Sequence, residues 1–240
     1  MKLTLLGTRG NIEARTRRHR MHSSLQVSYY GDKVILDCGQ DWLGEISDWD
    51  PEAILVTHAH PDHAFGLKEG APCPVYATEA SWETMEDFEI QERYVVVPRE
   101  SIQLAGMRFE AFTMDHSTRA PAVGYRITAG RATIFYVPDV VWIRDREAAL
   151  SGARCYVGDG ASLERSMVRK IDAALIGHTP VRTQLTWCQK LDVPEMIVTH
   201  CGAKIVEGDE RTLGAKLRRM AEERGVKVEI AYDGMEKVYR

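Results

Sequence analysis

A short stretch of the sequence contains four potential metal ligands within six residues, in the pattern HxHxDH. His58 and His60 are two residues apart at the end of an apolar run, so both side chains point to the same side of an extended backbone. Asp62 and His63 follow Pro61 and can face a second cation. Imidazole nitrogen and carboxylate oxygen suit zinc, iron or manganese. The motif therefore predicts a site for divalent metal ions.

Three further histidines and one aspartate also follow apolar runs. His116 comes after FEAFTMD, His178 after AALIG, His200 after EMIVT, and Asp139 after ATIFYVP. Loops at the strand ends along one edge of a sandwich can assemble a site. Taken alone, each residue is equally typical of a buried structural histidine or a turn-initiating aspartate. Their shared placement favours a common site.

A basic segment joins the first two apolar runs. Residues 9–22 hold five arginines, two histidines and few apolar side chains. One interpretation is a solvated, mobile loop. The other is a clamp for an anionic substrate, because arginine offers planar paired donors to phosphate. On this second interpretation Arg17 and Arg18 are the candidate substrate-binding residues.

Composition excludes several function classes. The chain has 240 residues, of which 44% are hydrophobic, so it can bury a sizeable core. Its 31 basic and 35 acidic side chains give a net charge of −4, which disfavours general nucleic-acid binding. No apolar run reaches the roughly 18 residues of a membrane span, and the five cysteines contain no CxxC spacing. We expect a cytoplasmic protein with reduced thiols and no membrane partner.

The pattern of elements predicts an α/β sandwich. Short strands dominate the first half, and helical segments at 142–150, 180–191 and 208–224 alternate with strands at 154–158, 173–176, 196–199 and 227–231 in the second. A tight hairpin turn is expected at Gly31-Asp32. This order indicates two sheets packed face to face with helices on the outer surfaces. No linker or repeat divides the chain, so we expect one domain over residues 1–240. The early strands are predicted at 2–6, 24–30, 33–38, 53–57, 74–77, 94–97, 107–114, 122–128 and 132–137.

The ordered motifs resemble the metallo-β-lactamase superfamily. HxHxDH at 58–63 is followed by His116, Asp139 and His200, and Leu36-Asp37-Cys38-Gly39 is similar to the early strand-Asp-x-Gly element of that family. The resemblance implies an αβ/βα sandwich of two mixed sheets. It also implies a binuclear ligand set: His58, His60 and His116 for one metal, Asp62, His63 and His200 for the other, and Asp139 as the bridge. Asp37 would not bind a metal itself but would steady the residues that do.

His178 narrows the resemblance to one branch of the superfamily. It is similar to the additional histidine of the tRNase Z and phosphodiesterase branch, which assists catalysis and is not a ligand. The tail at 228–236 resembles that branch, especially the phosphodiesterase of the carbon-phosphorus lyase pathway. Thiolate-containing β-lactamases carry cysteine at the position of Asp139, so antibiotic hydrolysis is disfavoured. The interval from His116 to Asp139 is too short for a tRNA-clasping arm, so we expect no stable nucleic-acid partner.

The resemblance implies a dinuclear metal-dependent hydrolase acting on a small cyclic or nucleotide phosphodiester. A hydroxide bridging two divalent cations would be the nucleophile, with zinc the first choice and manganese or iron also suited to the ligands. Asp62 would bind metal and accept a hydrogen bond from the nucleophile, and His178 would be the general acid. Ser117 would contact a phosphate oxygen or, alternatively, cap its own loop. A homodimer is a family expectation.

Two alternatives come from other classes. Thioester and lactone hydrolases of the glyoxalase II kind share all seven metal ligands, but they lack a counterpart of His178 and carry a helical C-terminal domain. A binding module that has lost its chemistry is the second alternative. The intact ligand set disfavours it, because buried charged ligands without metal are costly to retain. The segment at Arg9–Arg20 holds no cysteine pair, so no third, structural metal is expected.

Overall fold

The computed structural model describes residues 1–172 and 174–240. Its strands form two large sheets and a separate two-stranded hairpin. In chain order the strands are β1 (Lys2–Gly7), β2 (Ser24–Tyr29), β3 (Asp32–Leu36), β4 (Ala53–Leu55), β5 (Val75–Ala77), β6 (Arg93–Val95), β7 (Ser101–Leu104), β8 (Met107–Asp115), β9 (Ala122–Ala129), β10 (Ala132–Val137), β11 (Trp142–Ile143), β12 (Cys155–Asp159), β13 (Arg169–Ile171), β14 (Ala174–Ile176), β15 (Glu195–Thr199), β16 (Lys227–Ile230) and β17 (Met235–Val238).

The helices are short and lie mainly between strands of the second half. They are α1 (Pro61–Ala64), α2 (Glu79–Thr84), α3 (Arg146–Leu150), α4 (Val181–Lys190), α5 (Ala203–Val206) and α6 (Glu210–Glu222). Among the helices of the described residues, none combines the length and the apolar character needed to cross a membrane.

Both large sheets are mixed. The first has the order β17-β1-β2-β3-β4-β5-β6, with β3 to β6 parallel. The second has the order β11-β8-β9-β10-β12-β15-β16, with β7 beside β8 and with β10, β12, β15 and β16 parallel. Parallel strands bring their carboxyl ends to one edge of a sheet, where loops form sites. Strand β8 runs in the same direction as β10, because both pair antiparallel with β9. The residues that follow β8, β10 and β15 are therefore brought to one edge of the second sheet.

The sheets enclose one apolar layer and carry another on each outer face. Leu5 and Leu36 of the first sheet pack with Phe109, Tyr125 and Ile134 of the second between the sheets. Full burial of such a side chain contributes about 1.5–3 kcal/mol. Helices α4 and α6 cover the outer face of the second sheet, and a third apolar cluster covers the outer face of the first. The predicted αβ/βα sandwich is confirmed.

Two local predictions need correction. Tyr29 pairs with Asp32, so the hairpin turn is Tyr30-Gly31, where both residues have the positive φ that such a turn requires. The helix predicted at 142–150 starts later, because Trp142 and Ile143 pair with β8 before α3 begins. The strand predicted at 173–176 contributes β14 to the separate hairpin with β13, and Ala173 lies outside the described residues.

Candidate metal centre

The HxHxDH motif lies where β4 ends and α1 begins. His60 has the extended backbone of an N-cap residue, and Pro61 occupies the first turn of the helix, where its missing N–H is tolerated. The Nε2 atom of His58 lies 2.9 Å from Nδ1 of His60. His116, which follows β8, brings its Nε2 atom to 3.4 Å from the same nitrogen. Three imidazoles from two sheets therefore converge on one point.

A second group forms on the other side of α1. The Oδ2 atom of Asp62 lies 3.3 Å from Nε2 of His63 and 3.0 Å from Nε2 of His200. His200 follows β15 and has a positive φ of 49°, a conformation uncommon for histidine that tends to occur at functional sites. Main-chain geometry thus turns His200 back toward α1.

Asp139 stands between the two groups. Its Oδ2 atom lies 3.4 Å from Nε2 of His58, 3.3 Å from Nε2 of His116 and 3.2 Å from Nε2 of His63. It belongs to both candidate metal-binding groups, in each of which the ligand atoms lie within 4.8 Å of one another. The structure therefore brings together all seven residues that the resemblance implied as ligands.

The residues present fit divalent cations. Among the described residues, the buried atoms His63 Nε2, Asp139 Oδ1 and His200 Nδ1 have no hydrogen-bond partner. Asp139 Oδ1 and His200 Nδ1 lie only 2.9 Å apart. An unsatisfied buried polar group costs about 1–3 kcal/mol, and cations held by these residues would offset that cost. Burial also lowers the pKa of His60 to about 4, with His116 acting in the same direction. A neutral imidazole keeps the lone pair that metal binding requires.

The carboxylates are held ionised. Burial opposes the ionisation of Asp139, but the imidazoles of His200, His116 and His63 outweigh it and keep the pKa of Asp139 well below its usual value. The pKa of Asp62 is lowered in the same way, with His63 and His200 outweighing burial. The same carboxylates raise the pKa of His63 and His200 well above its usual value, so these two imidazoles would release a proton on binding a metal. Ionised carboxylates and deprotonated imidazoles together suit zinc, manganese or iron.

Asp37 lies behind His63, where a supporting residue was expected. One oxygen of its carboxylate accepts hydrogen bonds from the Thr57 amide at 2.8 Å and the Thr57 hydroxyl at 2.9 Å. The other lies 3.0 Å from Nδ1 of His63 and accepts from the Tyr136 hydroxyl at 3.2 Å. This arrangement places the proton of His63 on Nδ1 and leaves Nε2 for a metal.

His178 is held by an aspartate that the sequence analysis missed. Its Nδ1 atom lies 2.8 Å from Oδ2 of Asp159, the last residue of β12. Burial opposes protonation of His178, but Asp159 and Asp139 outweigh it and raise the pKa of the imidazole. Asp159 follows the apolar run CYVG, just as Asp139 follows ATIFYVP, so strand-end placement was the signal that could have found it.

His178 and Asp159 also belong to a third group of potential ligands. Asp139, Asp159, His178 and His200 place one donor atom each within 4.8 Å of one another. Asp139 and His200 already belong to the second group, so this third group is not an independent site. Occupation of the third group would compete with occupation of the second.

A cavity of about 920 Å³ opens over this centre. His60, Asp62, His116, Asp139, His178 and His200 line its floor. Arg165, Arg169 and Lys204 line it as well, and we call these three residues the cationic wall. In the described part of the chain, no carboxylate lies within ion-pair distance of any of the three. The wall therefore presents uncompensated positive charge to whatever enters.

The structure does not bring the predicted substrate-binding residues to this cavity. Arg17 and Arg18 are exposed and are not among the described residues that line it. Arg18 instead pairs with Glu210 at 3.0 Å and stacks on the ring of Tyr232 at 4.4 Å. Ser117 accepts hydrogen bonds from the amides of the two residues at 119 and 120, which is the loop-capping alternative.

Residues 9–22 are buried at both ends, whereas Arg15, Arg17 and Arg18 in the middle of the segment are exposed. Arg9 is 1% exposed and pairs with Asp41. The Thr8 hydroxyl donates to Asp233 at 2.6 Å. Gly10 then packs against the ring of His200, where a Cβ atom would come within 3.0 Å of the imidazole. The buried pair thus fixes one wall of the cavity beside a candidate ligand.

A two-sheet αβ/βα sandwich with clustered His and Asp ligands at shared strand ends defines a metal-binding hydrolase fold. The profile of the β-lactamase superfamily domain matches residues 32–201, more than half of the chain, so the chain belongs to that superfamily. Ribonuclease Z of Methanopyrus kandleri is 29% identical over 175 residues. These cover 64% of this chain and 61% of that protein; for ribonuclease Z of Kineococcus radiotolerans the matched share of the relative is 49%. The chain thus spans less than two thirds of these curated relatives.

Solved structures share the fold over nearly the whole chain. The metallo-β-lactamase fold protein YhfI of Bacillus subtilis has a TM-score of 0.76 at 16% identity and covers 98% of each chain. A diphosphatase from the PhnP family has a TM-score of 0.71 at 19% identity, covering 100% of this chain and 98% of the other. The short form of human tRNase Z has a TM-score of 0.67 at 18% identity and covers 99% of each. The expected resemblance to the tRNase Z and phosphodiesterase branch is confirmed by these relatives.

Proposed function

We propose that the protein is a metal-dependent hydrolase of phosphodiesters. The observation that carries this proposal is the position of the His178–Asp159 pair at the edge of seven clustered candidate ligands, beside a cavity with a cationic wall. The ligand set provides for two divalent cations, with zinc as the first choice. The sequence relatives named ribonuclease Z and the PhnP-family diphosphatase support the same reaction class.

The cationic wall favours phosphodiesters over thioesters and lactones. A phosphodiester carries a negative charge through the whole reaction, and guanidinium and ammonium groups stabilise it by paired donation and charge. A neutral thioester or lactone gains much less from three uncompensated cations. The predicted clamp of Arg17 and Arg18 is thus replaced by Arg165, Arg169 and Lys204.

When bound, divalent cations supply a water of lowered pKa and neutralise charge on the phosphoryl oxygens. Side chains of the protein supply the proton for the leaving group and orient the attacking group. The Nδ1 atom of His178 is engaged by Asp159, so Nε2 is the nitrogen that holds the proton for the leaving oxygen. Leaving alkoxides need that proton far more than leaving phenolates do. Asp62 touches both His63 and His200 and is suited to accept a hydrogen bond from the attacking group.

The cavity suits a small substrate. Its volume of about 920 Å³ falls in the range of pockets that enclose small molecules. We therefore propose a small cyclic or nucleotide phosphodiester as the substrate. A longer single-stranded nucleic acid whose end enters the cavity is the other outcome of the test below.

The test compares substrates on one preparation. The protein is stripped with a chelator, reconstituted with zinc or manganese, and assayed on bis(p-nitrophenyl) phosphate, 2′,3′-cyclic AMP, a short RNA, a thioester and a lactone. The proposal predicts that phosphodiester hydrolysis appears only after reconstitution and exceeds the other activities. Preferred hydrolysis of the thioester or the lactone would establish the glyoxalase II-like alternative. Metal binding without hydrolysis of any substrate would favour the binding module.

A further inference from the structure

We propose that Gln184 is a positioning residue that holds Asp159 and His178 together at the edge of the metal centre. The catalytic part of this inference rests on the proposed function, whereas the geometric part does not. Gln184 lies in the first half of α4, outside the cavity lining, and its side chain is 0% exposed. Burial of an amide on an otherwise apolar helix face is unfavourable unless its hydrogen bonds are made.

The amide of Gln184 uses its full hydrogen-bonding capacity. Its Oε1 atom accepts from the Tyr156 hydroxyl at 3.0 Å and from the Asp159 amide at 3.0 Å. Its Nε2 atom donates to the carbonyl of Asp159 and to the carbonyl of Thr179, each at 2.8 Å. An amide side chain offers two donors and two acceptor positions, so none of its capacity remains. Two of the four hydrogen bonds involve the backbone of Asp159, one its amide and the other its carbonyl.

The partners of Gln184 belong to different parts of the site. Asp159 ends β12, and Thr179 directly follows His178. Thr179 is also tied to the residues after Asp139, because its amide donates to the Val140 carbonyl at 2.7 Å. The Val140 amide in turn donates to Oδ2 of Asp159 at 3.1 Å. We call Gln184, Asp159, Thr179 and Val140 the Gln184 network. It fixes the backbone on both sides of the His178–Asp159 contact.

The four hydrogen bonds require the amide group of glutamine and not only a side chain of the same volume. In the variant Gln184→Glu both outer atoms of the side chain would be oxygens, and one of them would face two carbonyl acceptors that now receive hydrogen bonds. A space-filling role would tolerate methionine at little cost. Buried partners left without a hydrogen bond would instead shift until water or another group satisfied them. Asp159 would move with them, because its carboxylate follows its backbone.

The experiment compares Gln184→Glu with Gln189→Glu on zinc-loaded protein. Gln189 is exposed on the same helix, so it controls for the new charge on α4. The first readout is the downfield proton NMR signal of the His178 Nδ1–H bonded to Asp159, assigned by its loss in His178→Gln. The second is the ratio of kcat on 2′,3′-cyclic AMP, which has an alkoxide leaving group, to kcat on bis(p-nitrophenyl) phosphate. Zinc content and melting temperature are measured alongside.

We expect Gln184→Glu to lose the NMR signal and to keep its zinc. The kcat ratio should fall about 10- to 100-fold, the range found when a supporting hydrogen bond behind an active group is removed. Gln189→Glu should match the wild type in every readout. Retention of both the signal and the ratio in folded Gln184→Glu would overturn the proposal, as would a loss of both activities by equal factors with the signal intact.

A milder variant covers the case in which Gln184→Glu does not fold. Tyr156→Phe removes one of the four hydrogen bonds and keeps the volume, so it should weaken the NMR signal and lower the kcat ratio by a smaller factor. An unchanged signal and ratio in Tyr156→Phe would then count against the proposal. If the wild type hydrolyses neither diester, the proposed function fails, and the NMR comparison still decides whether Gln184 positions Asp159 and His178.

Discussion

The imidazole of His178 and the carboxylate of Asp159 meet at 2.8 Å, although one follows the small hairpin β13–β14 and the other ends β12 of the large second sheet. A carboxylate on Nδ1 sets the tautomer of the ring and supports its protonated form. The pair lies beside the predicted ligand set, and both its members belong to a further group of potential ligands with Asp139 and His200. The proposed phosphodiesterase reaction uses this contact to protonate the leaving group, whereas a reaction that needs only the metals does not.

Replacement of His178 with alanine should slow reactions that have poor leaving groups. We expect kcat on 2′,3′-cyclic AMP to fall about 100-fold or more, because general acid catalysis contributes at least that much. Activity on bis(p-nitrophenyl) phosphate should fall much less, since nitrophenolate leaves without a proton. Both activities are compared at equal zinc content. Equal losses on the two substrates would remove the general-acid role, and loss of zinc would make His178 a ligand.

Replacement of Asp139 with alanine should lower the metal content. Asp139 contacts three histidines of both ligand groups, so its loss removes the shared donor and leaves buried imidazoles without their anionic partner. Zinc per chain, measured by elemental analysis after dialysis, should drop below the wild-type value. Asp145→Ala, at an exposed position near α3, is the control. Two tightly held ions in Asp139→Ala would show that the bridge is elsewhere.

The cationic wall should govern substrate affinity. The triple variant Arg165→Ala, Arg169→Ala, Lys204→Ala removes three exposed charges, each worth up to about 1 kcal/mol. The KM for bis(p-nitrophenyl) phosphate should therefore rise about 10- to 100-fold, with a smaller change in kcat. The double variant Arg17→Ala, Arg18→Ala should leave KM unchanged. A raised KM in the double variant, with an unchanged KM in the triple variant, would instead support the predicted clamp of Arg17 and Arg18.

Loss of Arg9 should destabilise the fold. Its guanidinium is 1% exposed beside Asp41, and removing one partner of a buried ion pair costs about 3–5 kcal/mol in the free energy of unfolding. Arg15 pairs with the same carboxylate, but its side chain is 52% exposed. Arg15→Met should therefore cost about 0–1 kcal/mol. Urea unfolding measures Arg9→Met and Arg15→Met, and equal midpoints would contradict this account of the segment.

Residue type and spacing, with the family resemblance that they carry, predicted the fold and the seven candidate ligands that the structure brings together. His58, His60, Asp62 and His63 form a local pattern that few other functions need, and each of the remaining candidate ligands follows an apolar strand. Parallel strands bring such ends together, so the alternation of elements predicted both the sandwich and the edge that carries the site.

The remaining features depend on contacts between distant segments. Asp159 is a single aspartate at the end of a strand, which is common without a function. Gln184 carries no local signal at all, because its partners come from β12 and from the loop after His178. Arg17 and Arg18 were chosen by charge, and charge does not indicate which way a side chain points. The turn at Tyr30-Gly31 was missed by one residue, because tyrosine rarely adopts a positive φ.

Anomalous diffraction from crystals grown with zinc tests the central claim most directly. The account predicts two peaks per chain, one within bonding reach of His58, His60 and His116, the other of Asp62, His63 and His200, with Asp139 touching both. The absence of any peak at these residues would contradict it. A single peak held by Asp159, His178 and His200 would contradict it as well, because His178 would then be a ligand and not the proton donor.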